Sequence, residues 1–277
     1  MLNLSYLMSV GELRYIQSRY ERPEFRNPDT VVSEFLSIPR RLSCSLRGRF
    51  LLPVLRSKPF YYYLLCRTIY YDEVFLDAIW DSVKFIINIG CGTDTRPYRF
   101  AHLLKQKGVR VLECDQPAAI ARKQQIAAHH WPIDHVTYLA IDLNDESWPE
   151  FERQLRQNRQ NRVMVMMEGV SPYVSQTGFE SFLRLLGQML IPGSLLAYDF
   201  KIEGVDSEFG GSEKTARPFR LPADRQDVTA FHRTKGFRLD QMEPSSELSE
   251  RLLPSLASTG QRLFREDCLL RLTASPE

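Results

Sequence analysis

The sequence predicts an α/β protein: a mostly parallel sheet covered by helices on both faces, with an antiparallel edge. Three observations predict it. Short apolar, β-branched runs alternate with helical patterns from residue 85 to residue 200. That rhythm is the mark of crossover-connected parallel strands. The first run ends in Gly90-Cys-Gly92, a turn that lets backbone pass close to a ligand. Two late strand-like runs, Phe237–Met242 and Leu263–Thr273, have no clear helix between them, which fits an antiparallel pair.

The elements follow in order. Residues 1–80 read as a helical cap, with Gly11–Tyr20 a short helix broken by Pro23, Asn27 and Pro28. Val31–Leu36 and the aromatic-rich Arg56–Trp80 read as further helices. Residues 81–277 read as the ligand-binding core. Its strands are Phe85–Ile89, Arg110–Cys114, Val136–Ile141, Val163–Met167 and Ser194–Phe200. The helices between them are Tyr98–Gln106, Pro117–His130, Trp148–Asn158 and Ser175–Met189. Pro117 suits a first helical turn, and Ser175 suits an N-cap. Arg225–Lys235 is a last helix, stopped by Gly236. Residues 202–225 read as a loop-rich insertion over the substrate, and the aromatic helix as packing that also walls an apolar pocket.

With 277 residues, 43% of them hydrophobic, the chain has material for one sizeable core. The net charge of +2, with 36 basic residues interspersed among 34 acidic ones, gives no reason to expect nucleic acid. The run Arg153–Arg162 reads as a solvated helix end. No stretch approaches the roughly 18 apolar residues of a membrane span. The N-terminus lacks a basic, apolar leader pattern. Five scattered cysteines without a CxxC pair read as reduced thiols and no metal site. These features together point to a cytoplasmic protein; the oligomeric state is not legible.

In open α/β sheets the ligand sits outside the carboxyl ends of the strands. Four successive strands place acids there: Asp94 after the first, Glu113 and Asp115 at the second, Asp142 at the third and Glu168 at the fourth. Asp115 lies 25 residues after Gly90, where a carboxylate accepts hydrogen bonds from ribose hydroxyls. So many acids suit a ligand with ribose and positive charge better than a pyrophosphate. Thr95 occupies the third position of a GxGxxG pattern, which also disfavours NAD. S-adenosylmethionine fits: an adenosine, a sulfonium and an amino-acid tail, with no phosphate. Arg67 is a source of positive charge for its carboxylate.

The pattern Arg67-Thr68-x-Tyr70-x-Asp72, the run Asn88-x-Gly90-x-Gly92-x-Asp94-Thr95-Arg96-x-Tyr98-Arg99, Glu113-x-Asp115-x-Pro117, Asp142-Leu143 and Glu168-Gly-Val-x-x-Tyr173 resemble the leucine carboxyl methyltransferase family. The segment Tyr20–Asp29 and Pro218-Phe219-Arg220 look like its bacterial, tetracenomycin-type polyketide O-methyltransferase branch. The resemblance implies a Rossmann-like class I methyltransferase with a seven-stranded sheet. It implies that Arg67 binds the methionine carboxylate and Glu168 its amino group. Gly90, with Gly92 and Asp94 in the same turn, would lie against the cofactor, Asp115 would hold the ribose, and Asp142 and Leu143 the adenine.

The expected activity is methyl transfer from S-adenosylmethionine to a carboxyl or hydroxyl oxygen of a small molecule, a polyketide or peptide-derived metabolite. The alternatives are methylation of a protein C-terminal carboxylate and a non-catalytic cofactor-binding partner protein. Tyr173, beyond the fourth strand, is the candidate for positioning the acceptor. Among the histidines only His232 is a candidate base; His129 and His130 read as structural.

Overall fold

The protein is described by a computed structural model covering residues 8–131, 133–145, 147–205 and 218–275. Residues 206–217, half of the insertion expected over 202–225, therefore lie outside the described residues. Three helices come first: α1 (Val10–Tyr20), α2 (Ile38–Arg56) and α3 (Pro59–Trp80). Ser9 caps α1 in a reciprocal capping box, its hydroxyl accepting from the Glu12 amide while the Glu12 carboxylate accepts from the Ser9 amide at 2.7 Å.

The alternating region follows: β1 (Phe85–Ile89), α4 (Arg96–Arg99), α5 (Ala101–Lys107), β2 (Arg110–Asp115), α6 (Pro117–His130), β3 (Val136–Ala140), α7 (Pro149–Gln157), β4 (Val163–Met167), α8 (Gln176–Met189) and β5 (Leu195–Ile202). The chain closes with β6 (Arg220–Leu221), α9 (Arg225–Arg233), β7 (Phe237–Pro244), α10 (Leu248–Leu252), α11 (Pro254–Ala257) and β8 (Asp267–Ala274).

The main sheet runs β3-β2-β1-β4-β5-β8-β7, with the two-residue β6 pairing beside the end of β5. β1 lies between β2 and β4, both parallel to it: Ile89 sits opposite Cys114 on one side and Met167 on the other. The chain order reverses between β1 and β4, the switch point where such sheets leave a crevice. β8 alone among the seven long strands is antiparallel, and it lies between β5 and β7 rather than outermost. The expected antiparallel feature is thus present, one strand in from the edge.

The apolar runs split by alternation into two cores. Ile86, Val111, Met164 and Met166 face a cluster that includes Leu13, Tyr63, Tyr71 and Phe75 of α1 and α3. Phe85, Ile87, Ile89, Leu112, Val165 and Met167 face the opposite cluster, with Phe151, Phe179, Phe182 and Leu186 of α7 and α8. The helices of residues 10–80 thus cover much of one face of the sheet, together with Leu104 of α5, Leu248 of α10 and Leu256 of α11.

Three expectations for the first 80 residues need correction. Residues 32–35 form a single 3₁₀ turn rather than a helix. Residues 38–56, left unassigned by the sequence, form α2. Its apolar residues lie on both inward and outward sides and Pro53 interrupts it, so no amphipathic period marks it. The aromatic helix begins at Pro59, not Arg56, because α2 uses Arg56 for its own last turn. The arginine-rich run behaves as expected: Arg153 and Arg156 pair with Glu150 and Glu152 on the exposed side of α7. No helix among the described residues is long and apolar enough to cross a membrane.

Candidate ligand-binding site

Two cavities open at the carboxyl ends of β1–β5, and Gly90, Gly169 and Tyr173 line both. Gly90 has φ +65°, and a Cβ there would fall 2.5 Å from Val170 Cγ2, so the turn needs a glycine on both counts.

The smaller cavity, about 320 Å³, is bordered by Asp115, Gln116, Asp142, Leu143 and Val174. Asp115 sits where β2 emerges from the sheet. Its Oδ2 accepts from the Gly92 amide at 2.7 Å and its Oδ1 from the Gln116 amide at 2.7 Å, which fixes the carboxylate across the mouth of the glycine turn. Asp142 accepts from the Asn144 amide at 2.9 Å and from the Gln116 side chain at 3.3 Å. Leu143 is buried at the cavity's side. Glu113 is not part of this mouth. It lies two residues deeper on the same side of β2, fully buried, accepting from Lys123 at 2.5 Å and from the Tyr98 hydroxyl at 2.6 Å. It is a structural ion pair beneath α6.

The larger cavity, about 470 Å³, is lined by Arg14, Arg67, Asp94, Glu168, Asp199 and Lys201, among others. Arg67 is buried here, with its guanidinium near Phe60 and Tyr63. Glu168 is the hub. Its Oε1 accepts from Arg14 and, at 3.2 Å, from Arg67 Nε; its Oε2 accepts from Arg96 Nη1 at 2.9 Å. Burial pushes its carboxyl up, but the three guanidiniums outweigh that and hold it below the ordinary range. Asp94 borders the cavity with its oxygens committed to Asn88 at 2.9 Å and to Arg96 at 2.7 Å. Arg96, fully buried, also bonds Asp72 at 2.8 Å.

On the other flank of the larger cavity, Asp199 of β5 accepts at Oδ1 from the Tyr71 hydroxyl at 2.8 Å and from the Gly169 amide at 2.7 Å. Its Oδ2 accepts no hydrogen bond among the described residues. Burial, with the neighbouring charge of Asp267 and against that of Arg67, pushes the Asp199 carboxyl up to about 6. Lys201 Nζ lies 2.7 Å from Asp267 Oδ1, and the Tyr63 hydroxyl donates to Asp267 Oδ2 at 2.6 Å.

Among the described residues, the aromatic helix supplies little of the expected apolar wall; the part expected from residues 206–217 lies outside the described residues. Phe60 lines the cavity, but Tyr61, Tyr63, Tyr70, Tyr71 and Phe75 are core, and the floor is charged. Tyr173 stands at the rim, 59% exposed. His232 is excluded as a base: it is buried between the Tyr198 hydroxyl and the Val228 carbonyl, away from both cavities, and burial lowers it to about 4.

Sequence reasoning gave no role to Arg14, Arg96, Asp199, Lys201 or Asp267. Asp199 and Lys201 did leave a signal, charges two apart on one side of an otherwise apolar strand. Arg14 left none, because its position depends on how α1 packs.

Residues 54–187, just under half of the chain, match the model of the leucine carboxyl methyltransferase family. A candidate S-adenosyl-L-methionine-dependent methyltransferase of Mycobacteroides abscessus is 28% identical over 172 residues, 62% of this chain and 52% of the relative. Another, of Mycolicibacterium paratuberculosis, is 32% identical over 139 residues, 50% of each chain. The chain thus spans about half the length of the relatives it matches. Among solved structures, magnesium protoporphyrin IX methyltransferase of Synechocystis PCC 6803, with SAH bound, aligns at a TM-score of 0.47 and 13% identity, covering 98% of this chain and 97% of that one.

Proposed function

We propose that this chain is an S-adenosylmethionine-dependent O-methyltransferase acting on a hydroxyl of a small molecule. The observation that carries the reading is the joining of two complementary cavities over one glycine turn. The larger offers an arginine beside a glutamate, Arg67 and Glu168, the pair that answers the carboxylate and ammonium of an amino-acid tail. The smaller offers Asp115 for a ribose, with Asp142 and Leu143 for an adenine.

The donor set fits that cofactor. Asp94, Glu168, Asp199 and Asp267 on the larger cavity outnumber Arg14, Arg67 and Lys201 by one, matching the single net positive charge of S-adenosylmethionine. Arg14 Nε is buried there without a hydrogen-bond partner among the described residues, a donor in want of an acceptor. When bound, the cofactor supplies an electrophilic methyl group: its S–CH3 bond breaks, an O–CH3 bond forms, and a neutral thioether leaves.

The chain's own contribution is alignment, exclusion of water and a place for the acceptor's proton. Asp199 is suited to the last. Tyr71 and Gly169 hold one carboxylate oxygen, and the other is free to accept the proton that the hydroxyl gives up. A carboxyl near 6 is ionised at neutral pH and more basic than an ordinary aspartate. Tyr173 at the rim would contact the outer part of the acceptor.

The test is to incubate the protein with labelled S-adenosylmethionine and panels of phenols, alcohols, small carboxylic acids and a peptide with a free C-terminus, then seek a gain of one methyl group by mass spectrometry. Transfer to a phenol or alcohol is expected. Transfer to the peptide alone would move the substrate to protein C-termini. Calorimetric binding of S-adenosylhomocysteine with no transfer to any acceptor would favour a non-catalytic partner, and binding of NAD in its place would overturn the cofactor.

A further inference from the structure

Five of the seven large hydrophobic side chains exposed among the described residues lie on one helix, α2. They are Ile38, Leu42, Leu46, Phe50 and Val54, with Leu46 73% and Phe50 82% exposed. Spaced four apart, they form a continuous ridge about 24 Å long. Pro39 and Pro53 are exposed as well. The opposite side of α2, with Cys44, Gly48, Leu52 and Leu55, is buried against the body of the protein. The outward ridge therefore contributes nothing to the core. A contiguous apolar surface of this kind marks an interaction site.

We propose that this ridge seats the protein on an anionic lipid surface, lying on the bilayer rather than crossing it. The charges on the helix choose this occupant. α2 carries Arg40, Arg41, Arg47, Arg49 and Arg56 and no acidic residue. Arg40, Arg41 and Arg56 are answered by Glu12, Glu34 and Glu21. Arg47 and Arg49 are exposed and make no ion pair among the described residues. A helix with an apolar face edged by free arginines is the form that settles into an anionic headgroup layer. A second copy fits worse. Symmetric packing of α2 on its own copy would bring these arginines toward one another with no acid on the helix to offset them.

The test uses the full chain with extruded vesicles of phosphatidylcholine alone and of phosphatidylcholine mixed equally with phosphatidylglycerol. Co-sedimentation with the phosphatidylglycerol vesicles only is expected, falling as salt is raised. Leu46→Glu and Phe50→Glu should each weaken that partition by roughly tenfold or more, and the double variant Arg47→Glu/Arg49→Glu should remove the preference for anionic lipid. All these side chains are exposed and outside both cavities, so affinity for S-adenosylhomocysteine should not change. Failure to bind, or equal binding to both vesicle types, overturns the proposal. Self-association in sedimentation velocity that Leu46→Glu abolishes would assign the ridge to a second copy instead. None of these outcomes bears on the methyltransferase reading.

Discussion

The two cavities that meet over Gly90 are built in opposite ways. The smaller is assembled from neighbours: Asp115 is held by the amides of Gly92 and Gln116, and Asp142 by its own turn at Asn144. The larger is assembled from afar. Glu168 meets arginines 154, 101 and 72 positions away, on α1, α3 and α4. The smaller cavity's geometry belongs to the strand ends. The larger exists only when the helices of residues 10–80 close over the sheet. Substitutions should separate the two: changes in the smaller cavity should cost ligand affinity alone, and changes in the larger should cost stability as well.

The largest effect should come from Arg96→Ala. It leaves Asp72, Asp94 and Glu168 short of a cation in a buried place and should lower unfolding free energy by about 3–5 kcal/mol, read by chemical denaturation. An unchanged midpoint would mean the network adds nothing to the fold.

Next comes Asp199→Asn, which should reduce kcat toward a hydroxyl acceptor by about a hundredfold or more while S-adenosylhomocysteine affinity holds. The pH dependence has a definite sign. The ionised carboxylate is the base, so wild-type kcat should rise with pH through about 6 and be lost as pH falls below it. A flat profile in that range, for a step limited by chemistry, would remove Asp199 from the reaction.

Arg67→Ala and Asp115→Ala should each weaken S-adenosylhomocysteine binding by about 1.5–3 kcal/mol in calorimetry, the worth of a hydrogen bond to a charged group. The contrast between them sharpens the comparison. Arg67→Ala should also destabilise the empty protein, because Glu168 loses a buried partner, whereas Asp115→Ala should not. The smallest effect is expected from Asp142→Ala, about 0.5–1.5 kcal/mol of affinity in the same calorimetry.

The core strands were legible because each is a short apolar run ended by a turn, and β1 and β4 matched their expected bounds. Asp115, Asp142 and Glu168 were legible for a related reason: a carboxylate just past an apolar run must leave the sheet at its ligand-bearing edge. Glu113 shows the limit. It has the same chemistry as Asp115 two residues earlier, but whether an acid on that side meets solvent or Lys123 depends on where α6 crosses. α2 was missed because its inward and outward sides are both apolar, so nothing in its pattern distinguishes the core from the surface.

By itself, then, the sequence determined the alternation of β1–β5 with the helices between them, the glycine turn and the acids at the strand ends. These follow from local backbone preference and from which residues leave water. Only the tertiary structure decided that Arg14, Arg67 and Arg96 converge on Glu168 and that, among the described residues, nothing donates to one oxygen of Asp199 and nothing covers a ridge of α2. Each of these is a juxtaposition of distant segments, fixed by packing rather than by any residue's own conformational preference.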